Sequence, residues 1–172
     1  VLGGARSGKS TYAQKLAEHH RNVLFVATAT RSDDEMTAKI ERHRSDRPQH
    51  WTTAEEPLAL ADTIRRCGPH FDLVLIDCLT LYAANLLHRH GDENAEQAPL
   101  LSAIDDLCQA LAKPPCAVVL VSNEVGGGVV PAYAIGRRYR DLLGEINQRI
   151  AAIATDAVLM IAGLPLPLKS RA

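Results

Sequence analysis

The chain has 172 residues, 47% hydrophobic and 23% charged, with 19 Lys plus Arg against 20 Asp plus Glu and a formal net charge of -1. That length suits one domain with a full core, and the composition excludes a disordered chain or a rod. A protein that grips nucleic-acid backbones calls for a basic face, aromatic residues at 4% leave few stacking platforms, and no apolar run approaches the roughly 18–20 residues that span a bilayer.

In chain order, strand-like and helix-like segments alternate. Val1-Leu2 reads as the end of a first strand, begun before Val1, that feeds a Gly-rich loop. From Ser10 to about Arg21, Ala13, Leu16, Ala17 and His20 recur at helical spacing. Asn22 to Ala27 (NVLFVA) suits a strand buried on both faces. Asp33 to Arg44 reads as a helix with Met36, Ile40 and His43 on one side. Pro57 is expected to open a helix whose face is Leu58, Ala61 and Ile64. Leu73 to Ile76 is a second buried strand, and Leu79 to His88 a helix ended by HRHGDEN.

Leu100, Ile104, Leu107, Cys108 and Leu111 mark an amphipathic helix, and Ala117 to Val121 a strand. Tyr139, Leu142, Leu143, Ile146, Ile150 and Ile153 mark the clearest helix, before a strand from Ala157 to Ile161. The tail GLPLPLK has two prolines and cannot be a central strand throughout. Five apolar runs separated by helices predict a mainly parallel sheet with helices on both faces. Cys67, Cys78, Cys108 and Cys116 form no CxxC pair and read as small buried hydrophobes in a reducing compartment. No signal peptide is recognised, which leads to the expectation of a cytoplasmic protein.

Gly3-Gly4-Ala5-Arg6-Ser7-Gly8-Lys9-Ser10 matches G-x-x-x-x-G-K-[ST], the phosphate-binding P-loop. The glycines let successive backbone N–H groups face phosphate oxygens, and the helix that follows adds its positive end. Lys9 is placed to reach the β- and γ-phosphates, and the Ser10 hydroxyl to hold Mg²⁺. Lys9 is expected to be a loop contact and not part of the core. Asp77 closes the run FDLVLID, where an acid at the carboxyl end of a buried strand holds Mg²⁺ directly or through water. An acid there can also simply begin a loop. Ser122-Asn123-Glu124-Val125-Gly126-Gly127-Gly128 follows another strand; Glu124 could polarise a hydroxyl, or the segment could be a flexible loop. No N-K-x-D guanine-reading motif is present, so base choice is not readable.

On spacing alone, His43 is a helix-face histidine near a helix C-terminus, where positive charge is welcome. Arg42, Arg44 and Arg47 beside it are either a solvated face or a phosphate clamp. The other histidines show no metal-ligand pattern.

The blocks GGARSGKS, DDEM-x₃-I-x₂-H-x₃-RP-x-HW-x-TAE, NEVG-x-G-x-VP and RD-x-x-G-x-x-NQR together resemble the bifunctional adenosylcobinamide kinase / adenosylcobinamide-phosphate guanylyltransferase family of cobalamin biosynthesis. The likeness runs from Gly3 to about Ala162, and its specific part is Asp33 to Glu55 with NEVG. It implies an α/β, RecA-like P-loop fold, a homotrimer and Mg²⁺. It implies two reactions: ATP or GTP phosphorylates adenosylcobinamide, then GMP from GTP passes through a guanylyl-histidine to the cobinamide phosphate, giving adenosylcobinamide-GDP. The nucleophile falls on His43, with Lys9 as the other catalytic residue. The nucleotide site falls on Gly3, Gly4, Ala5, Arg6, Ser7, Gly8, Lys9, Ser10 and Thr11. It continues with Ala27, Thr28 and Ala29, with Arg44, Ser45, Asp46 and Arg47, and with Glu55 and Asp77; Ser10 and Asp77 would hold the metal. Two other readings stay open on the residues: a P-loop kinase of another small metabolite with a structural His43, and a non-enzymatic nucleotide switch.

Overall fold

The computed structural model describes residues 1–30, 47–90 and 98–170. Its strands are β1 (Leu2–Gly3), β2 (Val23–Ala27), β3 (Thr52–Glu55), β4 (Leu73–Asp77), β5 (Ala117–Asn123), β6 (Ala157–Ile161) and β7 (Leu164–Lys169). Its helices are α1 (Lys9–Ala17), α2 (Leu60–Cys67), α3 (Leu79–His90), α4 (Ala98–Ala112) and α5 (Ala134–Ile153), with a short 3₁₀ turn at Gly68–His70. The predicted helix over Asp33 to Arg44, with His43, lies outside the described residues.

The strands form one seven-stranded sheet in the order β3-β2-β4-β5-β1-β6-β7. All neighbours are parallel except β6 and β7, which form an antiparallel hairpin. This is the α/β arrangement expected from the sequence, a mainly parallel sheet with helices on both faces. Alternation along the buried strands sorts the core into two layers, because successive side chains point to opposite faces. Leu24, Val26, Val74 and Ile76 meet α2, α3, α4 and α5 on one side. Val23, Phe25, Leu73 and Leu75 meet Ala13 and Ala17 of α1, with Trp51, on the other.

The sheet has two strands more than the five apolar runs predict. β3 reads TTAE; it carries no apolar alternation because it is an outer strand with mostly exposed side chains. β7 reads LPLPLK and forms the opposite edge, the position that tolerates proline. Pro57 does not open α2, which starts at Leu60. Instead the Glu56 carboxylate accepts the Leu58 and Ala59 N–H groups at 2.9 and 2.7 Å, holding that stretch as a turn before the helix. The four cysteines are half-buried, not fully buried, and none is in a disulfide.

Candidate active site

Strand register brings the predicted motifs to one edge. Ala27 is level with both Asp77 and Glu55, Asp77 with Val121, and Gly3 with Asn123. All of these but Val121, two residues short of the end of β5, stand at the carboxyl ends of parallel strands, where ligands of such sheets bind. The P-loop therefore opens beside Asp77, with β5 between their strands.

The loop backbone is specialised for its path. Gly3 has φ 151°, and a Cβ there would lie 2.6 Å from both the Met160 carbonyl oxygen and Ser7 Oγ. Gly8, which precedes α1, has φ 93°. Arg6 takes φ 55° without the freedom of a glycine, a conformation costing about 1–2 kcal/mol. Gly4, by contrast, has open space where a Cβ would go.

Lys9 differs from the expectation. It is only 8% exposed, so it belongs to the buried interior of the loop. Its Nζ donates to the Gly4 carbonyl at 2.5 Å and to Ser7 Oγ at 3.5 Å. Burial lowers its pKa, and the nearby Asp77 carboxylate opposes that by favouring the charged form. Lys9 thus folds across the loop, and a phosphate would offer it oxygens in place of one backbone carbonyl. Burial pushes the Cys78 thiol up, with the Asp77 charge adding to the effect, so that thiol stays neutral.

Asp77 is half-buried at the end of β4, and Ser10 is half-buried in the first turn of α1. Among the described residues no three His, Cys, Asp or Glu side chains gather into a metal cage. A hydroxyl and a carboxylate fit a hard cation that completes its shell with phosphate oxygens and water, as Mg²⁺ does.

Thr28 is completely buried. Its Oγ1 donates to the Cys78 carbonyl at 2.7 Å and accepts the Cys78 N–H at 2.8 Å, while its own N–H donates to the Asp77 carbonyl at 3.2 Å. Asn85 Nδ2 holds the Thr28 carbonyl at 2.8 Å. The Thr28 side chain therefore brackets the turn that carries Asp77. Ala27 is buried, Ala29 half-buried, and Thr11 and Glu55 exposed. The Arg47 guanidinium lies 3.5 Å from the centroid of Phe25, which fixes that arginine by a cation–π contact. His43, Arg44, Ser45 and Asp46 lie outside the described residues.

The segment after β5 is held at its root. Glu124 N–H donates to the Gly3 carbonyl at 3.1 Å, and Glu124 Oε1 accepts the Gly126 N–H at 2.8 Å, so this exposed carboxylate turns back on its own loop. Three residues to which the sequence alone assigned no site role hold that root. Ser122 Oγ and Asn147 Oδ1 are 2.6 Å apart, and Asn147 Nδ2 donates to the Asn123 carbonyl at 2.9 Å. Thr80 Oγ1 accepts the Asn123 N–H at 2.9 Å, and Tyr139 OH donates to the Thr80 carbonyl at 3.3 Å. Burial pushes the Tyr139 phenol up to about 12, so it remains a donor. Asn147 on the buried side of α5 was the available signal: an amide on an apolar stripe must find partners.

The comparisons with known proteins agree along the chain. Residues 1–168 match the model of CobU, described as cobinamide kinase / cobinamide phosphate guanyltransferase. The chain is 44% identical to the bifunctional adenosylcobalamin biosynthesis protein CobP of Pseudomonas aeruginosa, over 98% of this chain and 95% of that one. It is 41% identical to the bifunctional adenosylcobalamin biosynthesis protein CobU of Salmonella typhimurium, over 98% of each. A looser likeness links it to the flagellar accessory protein FlaH of Methanocaldococcus jannaschii, at 15% identity and TM-score 0.47, covering 99% of this chain and 76% of that one. The chain belongs to the cobinamide kinase / cobinamide phosphate guanyltransferase family.

Proposed function

We propose that this protein phosphorylates adenosylcobinamide with ATP or GTP and then converts the phosphate to adenosylcobinamide-GDP with GMP from GTP. The observation that carries this reading is the buried Lys9, stretched across the P-loop under the electrostatic influence of Asp77, in a chain of this family. In the first reaction the substrate hydroxyl oxygen attacks the γ-phosphorus, its bond to the β,γ-bridging oxygen breaks, and the hydroxyl proton is lost. The loop amides from Gly4 to Thr11 and the Lys9 ammonium hold the phosphates in line and stabilise their charge. Mg²⁺ held by Ser10 and Asp77 would neutralise charge on the β- and γ-phosphates.

In the second reaction a neutral imidazole nitrogen of His43 attacks the α-phosphorus of GTP. A P–N bond forms, the α,β-bridging P–O bond breaks, and pyrophosphate leaves. An oxygen of the cobinamide phosphate then attacks that phosphorus, and the P–N bond breaks to free His43. Arg44, Ser45, Asp46, Arg47 and Glu55, with the backbone of Ala27, Thr28 and Ala29, are the proposed remainder of the GTP site. The reading includes a homotrimer of cytoplasmic subunits, each with residues 1–172 as a single nucleotide-binding domain, acting on small molecules without nucleic acid or stable membrane insertion; light scattering tests the trimer.

The deciding experiment is mass spectrometry after incubation with GTP and Mg²⁺. A GMP adduct on His43, acid-labile and absent from His43→Ala, is expected, while His50→Ala keeps it. Some kinase turnover should persist in His43→Ala, because γ-phosphate transfer does not use that imidazole. An adduct that survives His43→Ala and vanishes in His50→Ala would move the nucleophile to the other histidine.

A further inference from the structure

We propose that the β6–β7 turn is a positioning element of the phosphate loop, with the Gly163 N–H setting the orientation of the Ser7–Gly8 peptide. This rests on the reading of Gly3 to Ser10 as the phosphate site.

The turn is Ala162-Gly163, between the paired residues Ile161 and Leu164. Its φ values are 51° and 82°, the two positive values that a tight two-residue hairpin requires. Gly163 suits its place; Ala162 is held in a left-handed conformation despite its Cβ. The hairpin is carried past the end of β1 by a fixed ladder, because β6 pairs with β1 in parallel, Leu2 level with Leu159 and Gly3 with Met160. At its tip the Gly163 N–H donates to the Ser7 carbonyl at 3.1 Å. A Cβ on Gly8 would sit 3.4 Å from Gly163 Cα and 3.8 Å from Met160 Cε. The hairpin thus contacts the P-loop at both of its motif glycines, through Met160 at Gly3 and through Gly163 at Gly8.

The chemical consequence follows from peptide geometry. The Ser7–Gly8 peptide is trans and planar, so its C=O and N–H point in opposite directions. Tying the Ser7 carbonyl to the hairpin turns the Gly8 N–H away from it, toward the open side of the loop where a phosphate oxygen would sit. A peptide flipped at this point would present a carbonyl oxygen to the phosphate and repel it. The donor that prevents the flip comes from residue 163, far along the chain from the loop it serves.

The substitution that tests this is Gly163→Ala. A Cβ at Gly163 meets no atom within 4 Å, so the change adds no clash and strains only the backbone at φ 82°. The alanine keeps its N–H, but the strained turn should move it off the Ser7 carbonyl and release the Ser7–Gly8 peptide; this should weaken GDP and ADP binding, each titrated with Mg²⁺, about tenfold, and raise the KM for the nucleoside triphosphate by a similar factor with less effect on kcat. The Gly8 amide resonance should move less on GDP addition than in the wild type. Gly163→Asn, a residue that tolerates left-handed backbone, should restore most of the affinity and the Gly8 shift. In the wild type the Gly163 amide should exchange slowly with solvent, a measurement that needs no variant. Wild-type GDP affinity in a folded Gly163→Ala, an unchanged Gly8 response, or a Gly163 amide that exchanges as an open one overturns the proposal. Lys9→Ala separates this from the underlying reading: if it too binds GDP and ADP as the wild type does, the phosphate-loop assignment itself falls.

Discussion

Two glycine-rich loops leave the same edge of the sheet, and their glycines do different work. The P-loop, Gly3 to Ser10, is enclosed: Gly3 and Gly8 have positive φ, Met160 and Ser7 crowd the place of a Gly3 side chain, and one at Gly8 would touch Gly163. The loop after β5, Gly126 to Gly128, is open. Gly127 has nothing within 4 Å, Gly128 only one backbone oxygen at 3.9 Å, and Val129 beyond them is 95% exposed. In the first loop Gly3 and Gly8 permit a backbone path that other residues take only with strain. In the second, no steric reason for glycine exists at Gly127 or Gly128, so what they supply is freedom to take other paths. Similar composition therefore accompanies a sterically fixed cradle in one place and a sterically unconstrained loop in the other.

The sharpest way to break this contrast is Gly3→Ala. Its Cβ meets a backbone carbonyl that cannot step aside, at a φ that alanine avoids. Overpacking of this kind costs about 1–3 kcal/mol, and the loop should lose its phosphate geometry. Nucleotide-dependent turnover should fall by more than about 100-fold, together with a lowered Tm. Gly4→Ala, one residue on, should fold and turn over close to the wild type, because its Cβ has room. Equal damage from both would mean that the loop needs flexibility and not a fixed path.

Lys9→Met comes next, with a loss of activity near that of Gly3→Ala and an opposite effect on the fold. Both reactions should drop about 100- to 1,000-fold, as for loss of one charge-stabilising donor. Stability should hold or rise at neutral pH, since burial disfavours the charged lysine. The sign follows from the lowered pKa. The unfolded chain takes up the Lys9 proton at a higher pH than the folded one, so the wild type is penalised most below its folded pKa. That penalty fades as pH rises through the folded pKa toward 10.5, the ordinary value for a lysine. Urea midpoints of the two proteins should therefore converge as the pH approaches that value; divergence would refute the burial argument.

Much of this was legible in the sequence, for identifiable reasons. β2 and β4 announce themselves because both faces are covered, leaving the apolar runs VLFV and LVLI. The P-loop is legible because its chemistry demands fixed residue types at fixed spacing. β3 was not, since an exposed edge strand such as TTAE owes its state to hydrogen bonds with β2 and not to its own side chains. The burial of Lys9, the Thr28 bracket and the contact of Gly163 with Ser7 depend on which strands become neighbours, and local pattern carries no such information. Nor does the motif say that Gly3 is sterically required while Gly4 is not.

Asn147→Ala probes where the fixed region ends. The open loop grows from Ser122 and Asn123, and both are tied to the Asn147 amide. Truncation leaves the buried Ser122 hydroxyl and the Asn123 carbonyl without that partner, at a cost of about 1–3 kcal/mol. A Tm lowered by several degrees is expected, with turnover reduced less than in the Lys9 variant because Thr80 still holds the Asn123 N–H. A double variant with Thr80→Ala should lose more than the sum of the two, since both side chains grip the same residue. Simple additivity would show that the two anchors act separately.

The smallest expected effect belongs to Gly127→Ala. The new methyl group meets no atom within 4 Å, and Gly127 is not among the residues with positive φ. Alanine at such a position stabilises by about 0.4–1 kcal/mol, because the unfolded chain loses freedom that the folded chain does not use. Urea denaturation should show that gain with an unchanged slope. Activity is the informative readout. If the loop does its work in the conformation seen here, turnover should stay at the wild-type value. If it must take another path over bound substrate, the same alanine should lower kcat while Tm rises, the separation that a tightly fixed loop would never show. The Gly126 N–H is already held by Glu124, so the pivot for any such motion is confined to Gly127 and Gly128, and Gly128→Ala should repeat the result.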